Sequence, residues 1–509
     1  MRDISRLSNS LKMLFLIMGI TIIHASKRRA IGIIGLGLLL PACMVGPDYR
    51  QPATSLPKAW LASQGRQILN GAETELAWWR HFHDPVLNQL ITKATRGNWD
   101  VKMASARIAE ARAVRASSDA ALFPVGDMMA SANRQANQIG FPDSAPASLS
   151  SAVKQPFNIF KMGFDASWEL DLFGGHRREA ESAQAELEAS SLAHDDIVIS
   201  VLAEVARTYI EIRQSQTQLQ IAQQIADSNK QTTSITHQVF NMGETAGMNV
   251  SIAEAQQQQV QAQIPYYRSL LAQSEFSLDV LLGEQSGAAH GLIKPIPDLP
   301  VGDKQLLLAA PASVIAQRPD IRNAERKLAS ATAQQGVAMA KFFPDISLIG
   351  FIGLFNTNAG NLLNVSSKSW SVGGNVLWPI LSYGSLSANL ATADAKQQEA
   401  LANYQKSVIR ALSDVERSFS AYIEQEKYTQ SVENAVAAEL TVYKIARGRY
   451  EQGLASFLEV LDVQRNLYTA QSQLILAQAQ TAQNLIAVYK SLGGSWKPTP
   501  VSGVLGQHK

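Results

Sequence analysis

The chain has 509 residues, 46% hydrophobic and 17% charged, with one cysteine, eight histidines and a formal net charge of +2. One cysteine excludes an internal disulfide framework and a thiolate zinc cluster, so a chain of this size must hold together by packing and assembly. A charge balance this close to neutral offers no basic surface for nucleic acid.

Lys27, Arg28 and Arg29 form a basic cluster, residues 30–40 an apolar run, and Leu40-Pro41-Ala42 a small-residue cleavage site. That is the layout of a secretory signal over 1–42. The run is too short to span a bilayer, which takes roughly 20 residues. Cleavage directly before Cys43 is the pattern of a bacterial lipoprotein, although Pro41 is unusual in such a box, and Cys43 becomes the acylated first residue. Met44 is not the aspartate that would retain a lipoprotein at the inner membrane, so the expected destination is the outer membrane. Loss of 1–42 removes Arg2, Arg6, Lys12, Lys27, Arg28 and Arg29 against Asp3, a net of +5, which leaves −3 of the original +2.

The mature chain repeats itself. Residues 100–124 superpose on 320–344 with an offset of 220, matching Asp100 to Asp320, Ala104 to Ala324, Phe123 to Phe343 and Pro124 to Pro344. From there the offset is 210, matching Trp168 to Trp378, Gly174 to Gly384, Gly243 to Gly453 and Val250 to Val460. The expected organisation is a first repeat over 98–283, a linker over 284–317, a second repeat over 318–493 and a tail over 494–509. The change of offset assigns the first repeat about ten extra residues, in a loop between its proline and its tryptophan.

Each repeat opens with a helix, Trp99 to Leu122 in the first, ended by Phe123-Pro124. A strand pair follows, over 124–172 and again over 344–378. In "FDASWELDL" Phe164, Ala166, Trp168, Leu170 and Leu172 alternate with Asp165, Ser167, Glu169 and Asp171. The second repeat sets Ile346, Leu348, Ile352 and Leu354 on one strand and Trp370, Val372, Val376 and Trp378 on the next. Strands of about ten residues, apolar and aromatic on one side and polar on the other, suit an outer-membrane barrel. A long helix of about 65 residues then runs to Phe240, ~98 Å at 1.5 Å per residue. After the Gly243 turn a shorter helix covers about Asn249 to Leu282. The two short helices together nearly equal the long one and can stack end to end beside it. Four strands leave two open edges, which hydrocarbon does not tolerate. Two chains would close eight strands, and three would close twelve with room for a water-filled lumen.

"CMVGPDYRQP" with Trp60, "WWRHFHDPVLNQLI" (78–91), "RPDIRNAER" (318–326), "RYEQGLASFLEVLDVQ" (449–464) and "LGGSW" (492–496) resemble the outer-membrane efflux lipoproteins of the NodT type, TolC-like outer membrane factors. The resemblance spans nearly all of the mature chain. It implies a mainly α fold with a β-barrel portion, a homotrimer whose twelve strands cross the outer membrane and whose twelve helices form a periplasmic tube. It also implies a periplasmic adaptor and an inner-membrane pump as partners and a small-molecule cargo. Phe164, Trp168, Trp370 and Trp378 would then face lipid, and Gly243, Val250, Gly453 and Val460 would mark the periplasmic tip. Residues 43–97 would start a belt around the tube, continued by 299–317 and the region after Gly493. At the tip the family often carries acids upstream of the turn, where this chain has Lys444 and Arg447, with Ser234 and His237 in the first repeat. These four are candidates for an entrance constriction that favours anions, or else for outward residues that meet an adaptor.

No catalytic constellation accompanies these features. His81 and His83 lack cysteine or acidic partners at metal-binding spacing and are expected to flank a helix start near Asp84-Pro85. "GIIGLG" (32–37) follows no strand and lies in the signal. No cofactor, metal or nucleic acid is expected. The reading that competes with a channel is a lipid-anchored coiled-coil envelope scaffold, which has no need of the four strands.

Overall fold

The computed structural model describes residues 44–54, 56–61, 77–136, 156–243, 245–294, 299–300, 302 and 311–494. After a 3-10 turn at Trp78–Phe82 come α1 (Pro85–Gly97), α2 (Trp99–Ala120), β1 (Val125–Gln135), β2 (Phe157–Leu170), α3 (Gly175–Asn241) and α4 (Gly247–Leu282). Then come α5 (Pro311–Gln317), α6 (Pro319–Ala340), β3 (Asp345–Asn356), β4 (Lys368–Leu377), α7 (Tyr383–Glu451) and α8 (Phe457–Ser491). The fold is mainly α. No helix among the described residues is long and apolar enough to cross a membrane.

The helices start and stop where local chemistry directs. Asp84 accepts the N–H groups of Val86 (2.7 Å) and Leu87 (3.2 Å) at the head of α1, and Asn98 accepts those of Asp100 and Val101 at the head of α2. Both are side-chain caps of otherwise unpaired donors. At the head of α3 the Asp171 carboxylate receives the N–H groups of His176 (3.1 Å) and Arg177 (2.9 Å). α4 continues through Pro265, which sits on an exposed side where water can take up the carbonyl that the missing N–H leaves free.

The long α3, 67 residues, packs beside α2 and α4 on one flank and α6 and α8 on the other, and α7, 69 residues, lies along the far side of α6 and α8. The short helices are stacked end to end. At one junction Asn98 Nδ2 donates to the Leu281 carbonyl (2.9 Å), and at the other Arg318 donates to that of Ser491 (2.6 Å). The first junction is backbone against backbone, because a Cβ on Gly283 would lie 2.2 Å from the Gly97 carbonyl oxygen. The largest core surrounds this level, where Trp60, Trp78, Phe82, Leu87, Tyr209, Leu278, Tyr422 and Leu485 meet.

The four strands form one antiparallel sheet in the order β1-β2-β3-β4. β2 and β3 pair from Phe160↔Asn356 to Leu170↔Ile346, although α3, α4, α5 and α6 lie between them in the chain. Trp168 Nε1 donates to the Leu122 carbonyl (3.0 Å) and Trp378 Nε1 to that of Phe342 (3.1 Å), so each tryptophan ties its strand to the end of the preceding helix.

Candidate functional site

The sheet has two unlike faces. Along one row Met128, Phe164, Ile352 and Trp370 stand in register across all four strands and are 64, 60, 66 and 76% exposed. Trp168 and Leu348 form a parallel row, and Trp378 (50% exposed) stands just beyond the end of β4. A contiguous apolar face this open needs a partner or a lipid solvent. The opposite face holds Asp127, Asp165 and Glu169, with Lys161 bonded to Asp165 (3.4 Å). Its expected polar character fails on β3, where Ile349, Phe351 and Phe355 point to the same side. Phe351 is buried because Gly163 and Gly353 face each other across the strands, and a Cβ on either would lie 2.7 Å from the ring. Lys161 Nζ sits 3.9 Å over the ring, a cation–π contact that no alternation pattern announces.

Among the described residues both lateral edges are open: β1 and β4 each lack a partner on one side, and the helices beneath them expose apolar side chains, Val280 and Phe276 on α4, Ile409 and Ile445 on α7.

At the far end of the helices Gly243 (φ 79°) and Gly453 (φ 71°) close α3 and α7, donating to the carbonyls of Phe240 and Tyr450 (both 2.9 Å). Nothing lies within 4 Å of a Cβ at either, so left-handed backbone rather than crowding calls for glycine there. Val250 is buried and Val460 half-buried in the helices that return from these turns. Ser234, His237, Lys444 and Arg447 are all exposed. His237 Nε2 lies 3.0 Å from Glu254 on α4, and Arg447 pairs with Glu451 (3.0 Å) one turn on. The expected basic pair is therefore half neutralised within its own helix.

Cys43 lies outside the described residues, but the segment after it is held in place by several hydrogen bonds. Val45 N donates to the Phe173 carbonyl (3.1 Å), beside the base of the sheet. The fully buried Arg178 reaches the carbonyls of Val45 and Gly46 and pairs with Asp48 and Glu181 (2.7 Å each). Burial works against the Arg178 charge, but those two carboxylates raise its pKa above the ordinary value. Farther along, Tyr49 donates to Glu325 (2.6 Å) and Leu61 N to Glu416 on α7 (2.7 Å), so the segment descends along the helices. At the central level Tyr209 donates to Asp84 (2.5 Å), while Arg213 donates to the Tyr209 hydroxyl (2.8 Å) and the Lys294 carbonyl. Burial, and then the Asp84 bond, keep the Tyr209 proton well above the phenol range. This network clamps α1 and the segment before α5 onto one face of α3. Sequence reasoning missed it, since its members lie far apart in the chain.

The family model described as outer membrane efflux protein matches residues 90–284 and 310–494. The solvent efflux pump outer membrane protein SrpC of Pseudomonas putida is 30% identical over 463 residues, 90% of this chain and 97% of that protein. Nodulation protein T of Rhizobium leguminosarum bv. trifolii is 30% identical over 474 residues, 92% and 97% of the two chains. Among solved structures, the outer-membrane channel OprN superposes with a TM-score of 0.81 at 32% identity, over 90% of this chain and all of the other. With both repeats matched, the strands of each included, this chain belongs to the outer membrane efflux protein family.

Proposed function

We infer that the protein is the outer-membrane exit channel of a tripartite efflux system, a homotrimer that takes small molecules from an inner-membrane pump and a periplasmic adaptor to the exterior. The observation that carries this is the pair of open edges: β1 with α2 and α4 on one side of the chain, β4 with α7 on the other. Unlike edges join head to tail and close a ring. The relatives' names, a solvent efflux pump outer membrane protein and an outer-membrane channel, support the same reading. Three copies give a twelve-stranded barrel whose apolar rows meet lipid and whose lumen receives Asp165, Glu169 and Phe351. Acylation of Cys43 would anchor the chain two residues before Val45, which is bonded to the Phe173 carbonyl beside the base of the sheet.

The register of the seam between copies follows from treating the chain as two repeats. The β1–β2 and β3–β4 pairings are related by the two sequence offsets, 220 for the first strand of each hairpin and 210 for the second: Val125↔Ser167 becomes Asp345↔Leu377. Moving the β2–β3 register by the same offsets sets Val376 opposite Ala130 of the neighbouring copy. The chain has 21 residues between β1 and β2 against 11 between β3 and β4, the ten extra residues of the first repeat. With Val376→Cys and Ala130→Cys together, oxidation of intact membranes should yield covalent dimers and trimers, whereas either change alone should yield none. A ladder from Val376→Cys with Met128→Cys of the same strength would refute the register, and dimers without trimers the ring. Conductance in planar bilayers tests the channel itself, which a scaffold would lack.

At the tip, heptad steps relate Lys444 and Arg447 to Glu416, which the N-terminal segment touches from outside, and to the buried Phe419. This phase favours the outward alternative, with Lys444 and Arg447 available to carboxylates of an adaptor rather than lining the entrance.

A further inference from the structure

At the level of the central clamp, α3 is covered on three sides: by α1 over Tyr209, by α2 and α4, and by α6 and α8. The remaining face carries Glu204, Arg207 and Glu211, with Asp196 about two turns before them. In a ring whose belt lies outside, that face looks into the lumen. The positions 210 later on α7 are Lys406 for Asp196, Arg410 for Ser200, Asp414 for Glu204 and Arg417 for Arg207. The same lumenal stripe is thus acidic on α3 and basic on α7, and a trimer would alternate the two around the bore.

The basic stripe borders a cleft of about 460 Å³ between α3, α6, α7 and α8, walled in part by Asp196, Asn484 and Lys490. Its cations differ in how far they are already engaged. Arg318 is spent, since it grips Asp320 with two bonds (3.0 and 2.7 Å) and donates to the Ser491 carbonyl. Arg410 and Arg417 are far less engaged: their side chains are 79 and 76% exposed, each approaches the shared Asp414 at 4.0 and 3.9 Å, and Arg417 adds one long bond to the Ser413 hydroxyl (3.4 Å). Arg318 approaches that carboxylate at 3.9 Å as well. One carboxylate therefore faces three guanidiniums and is within hydrogen-bond reach of none. Guanidinium forks match carboxylates bidentately.

We propose that this cleft is a lumenal subsite for organic carboxylates, taken up by Arg410 and Arg417 as they pass along the bore. The assignment deepens the channel reading and rests on it for the site's orientation. Asp320 does not repel such a ligand, because Arg318 neutralises it. Asp414 is the competitor the ligand displaces.

Phthalate titrated calorimetrically into the detergent-solubilised full-length protein tests the site without requiring conduction. Saturable binding is expected, weakened at least tenfold by Arg410→Gln with Arg417→Gln, tightened severalfold by Asp414→Asn, and unchanged by Lys427→Gln, an exposed cation farther along α7. No saturable binding, or binding indifferent to the arginine pair in a variant that still assembles, would overturn the proposal, as would loss of binding in Asp414→Asn. In bilayers phthalate should reduce the current through the native channel and not through the double variant. Binding without block would overturn the lumenal placement and leave the channel reading standing, whereas a protein that conducts nothing would remove that reading alone.

Discussion

Arginine at Leu348 gives a sharp measure of which sheet face meets lipid. Leu348 pairs with Gly374, midway between Trp370 and Trp378. Those tryptophans are eight residues apart, which at ~3.4 Å per residue is about 27 Å along the strand. A tilt of about 40° makes that about 21 Å along the membrane normal, close to the ~25 Å apolar band between aromatic girdles. Leu348 thus stands near mid-depth, where arginine on the lipid face costs roughly 2 to 4 kcal/mol. In the proposed trimer three copies would raise this to about 6 to 12 kcal/mol. Ser347, its neighbour on the opposite face, should accept arginine at little cost, and Val376, two residues from Trp378, should cost less than Leu348. Trp168 is a poorer probe, because its indole also holds the Leu122 carbonyl. The assay is the yield of SDS-resistant trimer refolded into lipid vesicles, titrated with urea. Equal losses for Leu348→Arg and Ser347→Arg would refute the assignment of faces.

Replacing Arg178 by Met should free residues 44–49 from α3 while the helices stay folded, seen as new protease cleavage near Asp48 with an unchanged circular dichroism spectrum. Gly243→Ala and Gly453→Ala should each cost about 1 to 2 kcal/mol, the left-handed penalty of a side chain, read as faster amide exchange at the tip. His290 is paired with Glu275 (3.0 Å), and that bond raises its pKa above the ordinary imidazole value. Its contribution is complete below the unfolded pKa and fades as pH rises through the folded one, so exchange in residues 284–293 should quicken from pH 6 to 8 and His290→Gln should remove the pH dependence. Tyr209→Phe strands two buried partners, Asp84 and Arg213, and should destabilise by about 2 to 4 kcal/mol, measured by thermal unfolding in detergent.

Long elements with a steady period were readable in the sequence: helices as long as α3 and α7 leave dozens of residues to average over, and the even-numbered apolar positions of β2, β3 and β4 stand on one face of the sheet. What escaped lies in contacts that no local window contains. Phe351 breaks the polar alternation of β3, and the space it occupies is opened by Gly163, nearly 190 positions earlier. Arg178 and Arg213 sit on polar helices, yet both are buried, because the Val45, Gly46 and Lys294 carbonyls and the Asp48 carboxylate that help to satisfy them come from segments over 80 residues away. The charges on the uncovered faces of α3 and α7 take their meaning from the packing that leaves one face of α3 bare.

The pairing of β2 with β3 inside one polypeptide has a bearing on how such an assembly is made. A ring built from single hairpins would need six separate molecules to collide, and its formation would fall off as the sixth power of their scarcity. In the trimer proposed above, half of the seams are sealed as each polypeptide folds, at the high effective concentration that a covalent tether provides. Only three encounters remain, and the dependence drops to the third power. For a molecule delivered sparsely across the cell envelope, that difference separates prompt closure from a long exposure of unpaired strands to proteases.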